Sequence, residues 1–555
     1  MSCVPLRACR DRPQLHSPCV LHEVWDPLDP RRNPPKSDPA LDRRDHRRST
    51  DPTELKGKCA VPLTCMPTYL PFNEGDIGGR GKQVNVTSLC SARCHGVKAR
   101  AAQADASFMV PTSWSRAVAQ PGAGDRPGGQ KPLRRKDDQW LDRWLQTCAD
   151  LARLQYSHPM VDAVIDEVDG RMIRVGDRWL ADFASCNYLG LDLDSEIIGA
   201  VQGYLERWGT HPSWSRLLGS PVLYRQLEEQ LAELLGSEDT LVLPTITHIH
   251  MSVIPVLAGS GSIFLDGRAH KTVYDGCAIA RGHGATVHRF RHGDSEELGR
   301  LLEKRRTGPR VICMDGINSM TGNAPDLPEF ARLAREHEAL LYVDDAHGFG
   351  MIGERASDEL CAYGNRGNGI VRHTGETYEN IVLVAGLSKA YSSLAAFLAL
   401  PTHLKEILKT AAPPYLYSGP SPVASLATAI EGLRVNALRG DRLRHEVYRM
   451  TLRVLEALKA RGIHTTNTSG YPIIEIPLAD PADIDEVGLH LFERGIYVTM
   501  AAYPLVPRHQ VGFRIQLTAA NTDEQVEHLI EVLSELSTRF QMPDRNNPLR
   551  LLNRS

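Results

Sequence analysis

Two stretches hold residue types that together could do covalent chemistry. The first, Tyr342-Val343-Asp344-Asp345-Ala346-His347-Gly348-Phe349-Gly350, is an apolar run that ends in two carboxylates and a histidine. The second, Gly386-Leu387-Ser388-Lys389-Ala390, follows the apolar run Ile381-Val382-Leu383-Val384-Ala385 and delivers a lone lysine among small residues. A β-branched or aromatic run that stops at an acid reads as a buried parallel strand with its carboxylate at the carboxyl end, where open α/β sheets bind ligands. A lysine in that crevice can hold an aldehyde as a Schiff base. An acid beside it can pair with a ring nitrogen, so that the ring draws electrons from a substrate's α-carbon. Pyridoxal phosphate is the cofactor that needs both groups.

Alternation along a strand assigns Asp344 to the ring nitrogen and turns Asp345 to the opposite face. His347 follows three residues on, within reach of a phenolic oxygen, although a satisfied structural histidine is the commoner meaning of such spacing. In Asp266-Gly267-Arg268-Ala269-His270-Lys271 a second strand stops abruptly, and an imidazole at His270 can stack on an aromatic ring and act as acid or base. Ser319 lies on a turn after a third strand, in Asn318-Ser319-Met320-Thr321-Gly322-Asn323, where a hydroxyl can point into the same crevice. Lys389 taken alone reads as a surface lysine at a strand end. Its place after a buried strand, with the acidic strand end nearby, argues for the crevice.

The elements that must position these groups come from the wider pattern. At 555 residues the chain exceeds what one core usually serves, so two or more domains are expected. Hydrophobic content of 42%, charged content of 24% and a net charge of −3 are those of an ordinary soluble enzyme and give no sign of a nucleic-acid partner. With no apolar run long enough to span a bilayer and no secretory core near the N-terminus, the expected location is the cytoplasm. Residues 1–137 mix Pro, Arg, Asp and Gly without periodicity and are expected to be disordered or a spurious extension, with translation starting later. Cys59, Cys65, Cys90, Cys94 and His95 fall in that segment, but their spacing does not make CxxC knuckles and no metal is expected. The cysteines beyond it are scattered and read as reduced thiols.

From 138 to 194 the pattern predicts an N-terminal arm. An amphipathic helix runs from Gln139 to Leu154, and hairpin signals follow at Asp169-Gly170 and Gly176-Asp177. From 195 to 437, strands alternate with helices, the mark of a mostly parallel α/β sheet and here the large cofactor-binding domain. From 438 to 545, a basic helix (Leu443 to Arg461) and strands at 473–476, 497–500 and 513–517 predict a smaller α+β domain. Residues 546–555 read as a tail.

An ordered set of short motifs resembles a known family. The set is Asn187-Tyr188-Leu189-Gly190-Leu191, Ser215-Arg216-Leu217-Leu218-Gly219, Asp266 with His270 and Asp275-Gly276, Asp315-Gly316 with Ser319-Met320 and Gly322, Asp344-Asp345-Ala346-His347-Gly348, Ser388-Lys389-Ala390, Tyr417-Ser418, and Arg514 with Leu517-Thr518-Ala519. From about Met172 to Leu536 it is similar to the α-oxoamine synthases among the fold-type I pyridoxal-phosphate enzymes. That family includes 8-amino-7-oxononanoate synthase, 2-amino-3-ketobutyrate CoA ligase, 5-aminolevulinate synthase and serine palmitoyltransferase.

The resemblance implies that Lys389 carries the cofactor as a Schiff base, Asp344 pairs with the pyridine nitrogen and His347 contacts the phenolic oxygen. It further implies that His270 stacks on the ring, Ser319 helps orient it, and Gly386 and Ser388 flank it. Arg514 would clamp the amino-acid carboxylate, with Asn187 also on the substrate, and Ser418 would reach the phosphate in the partner subunit of a homodimer with shared sites. The reaction implied joins an amino acid to an acyl thioester, on coenzyme A or an acyl carrier protein, with decarboxylation to an α-amino ketone. An aminotransferase or lyase on the same fold, or a non-catalytic partner subunit, are the alternatives.

Where the family has a Ser-Gly-Phe-x-x-Asn cup, this chain has Pro244-Thr245-Ile246-Thr247-His248-Ile249. The Thr245 and Ile246 amides at a helix N-terminus are then expected to hold the phosphate. Gly386 replaces the usual threonine three before the lysine, and Ala395-Ala396 a glycine pair.

Overall fold

The computed structural model describes residues 139–305 and 308–542. The expected extension 1–137, with its Cys59 to His95 set, and the tail 546–555 lie outside the described residues. Three short strands come first: β1 (Glu167–Asp169), β2 (Met172–Val175) and β3 (Arg178–Asp182). The central strands are β4 (Asp239–Leu243), β5 (Ser262–Asp266), β6 (Thr286–Phe290), β7 (Arg310–Asp315), β8 (Leu340–Asp344), β9 (Ile381–Gly386) and β10 (Ala396–Leu400). The last are β11 (Ile473–Pro477), β12 (Ile496–Tyr497), β13 (Thr499–Ala501) and β14 (Gly512–Gln516).

Alternation along apolar strands builds the core. In β8 and β9, Leu341, Val343, Ile381 and Leu383 join one buried cluster, while Tyr342, Val382 and Val384 join the other. Each side chain so buried contributes about 1.5–3 kcal/mol. A strand apolar on both faces needs cover on both, which is the parallel α/β arrangement. The order is β4-β10-β9-β8-β7-β5-β6, with β6, β5, β7, β8 and β9 parallel and β10 antiparallel to both its neighbours. One face is covered by the helices Ile246–Ala258 and Lys271–Gly282 through Ile249, Val253, Val273 and Cys277. These two helices pack so closely that a Cβ at Gly276 would stand 2.3 Å from the His250 carbonyl oxygen, so only glycine fits there.

The remaining sheets serve the C-terminal part. A three-stranded antiparallel sheet runs β11-β14-β13, and β12 pairs in parallel with β3 to extend β1-β2-β3. The strands of the 138–194 segment are therefore joined to the C-terminal region by backbone hydrogen bonds. Both predicted hairpin turns are present, with Gly170 and Gly176 at positive φ.

Several expectations are corrected. The helix expected over Gln139 to Leu154 is two, Gln139–Thr147 and Ala149–Ser157, with Cys148 between them at φ −94 and ψ 4. Thr147 donates its hydroxyl to the Arg143 carbonyl, a local bond of the kind that bends helices. The strand expected at 497–500 divides at Val498, because β12 stays with β3 while β13 turns to β14. Strands β6 and β10 were not expected. The first alternates polar residues, and the second is rich in alanine, which carries little strand preference. Cys148, Cys186, Cys277, Cys313 and Cys361 are free thiols. Among the described residues no helix is long and apolar enough to cross a membrane.

Candidate active site

The site forms where the parallel strands stop. Cross-strand register sets Asp315 of β7 beside Asp344 of β8, which places two carboxyl groups at adjacent strand ends. Lys389 arrives on the turn after β9, and His270 caps the helix Lys271–Gly282 that follows β5. These four line one cleft with Ile246, Ile317, Ser319, Ala346 and His347.

The cleft thus brings together the expected residues Lys389, Asp344, His347, His270, Ser319 and Ile246. Thr245 is the N-cap of the helix Ile246–Ala258, and its hydroxyl accepts the His248 amide at 3.3 Å. Gly386 ends β9, and Ser388 precedes Lys389 as an exposed residue. Arg514, on β14, is tied to the cleft because its Nη1 donates to the Ser319 carbonyl at 2.6 Å, while its buried Nε has no partner. Two expected residues do not line this chain's cleft. Asn187 donates its side-chain amide to Asp192 at 2.9 Å and does not line the cleft. Ser418, expected at the partner subunit's site, donates to the Gly419 carbonyl at 3.0 Å.

Burial and charge set the protonation of each group. Burial alone would raise Asp344, but His250, through its charge and its hydrogen bond, together with Lys389 and His270, outweighs it and brings the carboxyl down to about 2. Asp315 goes the other way, because burial and then the neighbouring Asp344 charge raise it well above the carboxylate range. Its carboxyl accepts the His270 backbone amide at 2.9 Å. Burial lowers His270, and the charges of Lys389, His250 and Arg514 lower it further against the pull of Asp344.

His347 is held neutral by burial first and then by Lys389, Arg514 and His270. Its Nδ1 lies 2.7 Å from the Tyr188 hydroxyl, which itself accepts from the Gln516 amide at 3.3 Å. Burial keeps that phenol protonated, so it donates to Nδ1 and the ring hydrogen sits on Nε2.

Several functional contacts were missed in the sequence. His250 donates from Nε2 to Asp344 Oδ2 at 2.9 Å, with Tyr342 at its other ring nitrogen. It stands one turn inside the helix Ile246–Ala258, amid an apolar run, and no local signal in the sequence marks it out. Asp315, Tyr188 and Gln516 were likewise given no role.

The residues present fit pyridoxal phosphate. An ionised carboxylate buried at a strand end awaits a cationic ring nitrogen, a lysine shares its cleft, and Ile246, the first residue of a 13-residue helix, lines the same space.

Comparison with known proteins gives the same direction. Residues 182–533 match the family described as aminotransferase class I and II. The 8-amino-7-oxononanoate synthase of Stutzerimonas stutzeri is 34% identical over 363 residues, 65% of this chain and 88% of that one. Its counterpart in Pseudomonas putida is 32% identical over 385 residues, 69% of this chain and 94% of that one. Among solved structures, the serine palmitoyltransferase of Sphingomonas wittichii superposes with a TM-score of 0.65 at 26% identity, covering 74% of this chain and 98% of that one.

Proposed function

The chain belongs to the class I and II aminotransferase family, in its α-oxoamine synthase branch, and from that premise we propose that it condenses an amino acid with an acyl thioester. The product is an α-amino ketone, formed with decarboxylation, and the cofactor is pyridoxal 5'-phosphate. The observation that carries this reading is the meeting of Lys389, Asp344, His270 and His347 in one cleft, with Arg514 linked to it through the Ser319 backbone.

When bound, the cofactor supplies an aldehyde for covalent attachment and an electron-withdrawing ring. Lys389 would hold the aldehyde, Asp344 the ring nitrogen, Ser319 and the Nε2–H of His347 the phenolic oxygen, and the Thr245 and Ile246 amides the phosphate. Burial lowers His270 and so favours the neutral imidazole that can take a proton, which makes it and Lys389 the groups that move protons. Arg514 offers its unpaired Nε to a substrate carboxylate, a role that suits the planar guanidinium. The acyl group arrives on coenzyme A or an acyl carrier protein.

We also read the protein as a cytoplasmic homodimer with shared sites. Tyr417, 81% exposed beside Ser418, and Leu218, 79% exposed, support a covered surface there.

The test is incubation with an amino acid and an acyl thioester, following thiol release. Release that depends on both substrates supports the proposal. Keto-acid formation without thiol would replace it by an aminotransferase or lyase, and protein that takes up no cofactor would point to a non-catalytic subunit.

A further inference from the structure

The helix Ile246–Ala258 contributes more than its N-terminus. His250 is fully buried between that helix and β8, and its two ring nitrogens are both engaged. Nε2 lies 2.9 Å from Asp344 Oδ2 and Nδ1 lies 2.8 Å from the Tyr342 hydroxyl, with the two rings edge to face at 5.6 Å. Tyr342 and Asp344 are two apart on β8, so both side chains leave the same face and the ring spans them.

We infer that His250 is a positioning residue for the cofactor, a buried link between Tyr342 and Asp344 that fixes the direction and the charge of the carboxylate facing the ring nitrogen. The inference rests on the pyridoxal-phosphate reading above.

Asp344 has two oxygens to place. Oδ1 accepts the Ala346 amide at 3.1 Å and Oδ2 accepts from His250, so rotation about the carboxylate axis would break one bond or the other. An ionised carboxylate can only accept, so the hydrogen of this contact is on Nε2. Tyr342 is buried, and its proton is held far above ordinary phenol behaviour by that burial. Its hydroxyl gives a proton to Nδ1 or takes one from it, so the ring has a partner whichever way it is protonated. Without His250, the burial that raises Asp344 would be opposed by one hydrogen-bond donor fewer. A protonated Asp344 would not favour a protonated ring nitrogen.

The protein is stripped of cofactor, reloaded with pyridoxal phosphate, and compared with His250→Leu, His250→Gln and Tyr342→Phe. Readouts are the cofactor dissociation constant, the visible spectrum of the bound cofactor against pH, and the melting temperature of the stripped protein. His250→Leu should bind pyridoxal phosphate about ten- to hundredfold more weakly, the factor expected for a lost hydrogen bond to a charged group. His250→Gln, which keeps a donor toward Asp344, should restore most of that affinity, and Tyr342→Phe should move the pH at which the visible band interconverts.

Wild-type affinity and spectrum in His250→Leu would overturn the inference, as would a His250→Gln protein as weak as His250→Leu. If His250→Leu does not fold, an unchanged band in Tyr342→Phe overturns it equally. Wild-type protein that takes up no pyridoxal phosphate removes the cofactor reading itself, before any variant is compared.

Discussion

Asp344 and Asp345 are the same residue type on consecutive positions of one strand end, and they live in opposite environments. Both are buried. Asp344 faces His250, Lys389 and His270, which bring it down to about 2 against the effect of burial. Asp345 faces the other cluster, where no cation is near enough to prevail, and burial lifts it to about 8. Its Oδ2 accepts the Ile370 amide at 2.8 Å and its Oδ1 has no partner. Glycines wall it in, since a Cβ at Gly348 would stand 2.1 Å from Oδ1 and one at Gly316 2.5 Å. Neighbouring cations, rather than depth, decide which acid is a charge and which is a neutral filler.

The largest effect should follow from removing the cation in front of Asp344. Lys389→Ala is expected to abolish the visible band of covalently held cofactor and to lower turnover on the order of 10⁴-fold, the upper end of what positioned proton transfer contributes. A retained band would remove Lys389 from its role.

Next comes the charge itself. Asp344→Asn keeps the shape but loses the carboxylate, and turnover should fall by about 10²–10³-fold, as for the loss of one preorganised electrostatic group. The same exchange at Asp345 should change turnover little, because a neutral acid and an amide are near-isosteres. Equal losses at the two positions, measured under identical conditions, would erase the distinction between them.

The glycine wall gives a third test. Gly348→Ala pushes a methyl group into the Asp345 carboxyl and should destabilise the fold by about 1–3 kcal/mol, the usual cost of overpacking. Urea unfolding checks this, and a loss that disappears in Gly348→Ala combined with Asp345→Ala would locate the clash.

Much of this contrast was legible in the sequence. Period two along Tyr342-Val343-Asp344-Asp345 put the two acids on opposite faces, and the structure has them so, with Tyr342 and Val343 in different clusters. The strand ends at Asp266, Asp315, Asp344 and Gly386 could be placed because buried parallel strands are continuous apolar runs that stop sharply. The partners were harder. His250 reaches Asp344 from 94 residues away, and nothing local distinguishes it from a core histidine. Asn187 was assigned to the substrate on likeness alone, and its side-chain amide donates to Asp192. Strand β10 escaped because two of its five residues are alanine, and its pairing with β4 and β9 depends on tertiary contact.

The remaining effect is the one that reports the environment of Asp345 most directly. Its folded-state value of about 8 is raised from an ordinary 3.8, so between these limits the folded protein binds a proton that the unfolded chain releases. Stability from this group therefore falls as pH rises from about 4 to about 8, by at most about 1.4 kcal/mol per pH unit, and is flat outside that window. Asp345→Asn carries no such proton. Its melting temperature, measured from pH 5 to pH 8, should gain on the wild type steadily across the series, whatever fixed offset the amide introduces. Parallel curves for the two proteins would mean that Asp345 is already ionised at pH 5, and that burial among glycines does not hold it neutral.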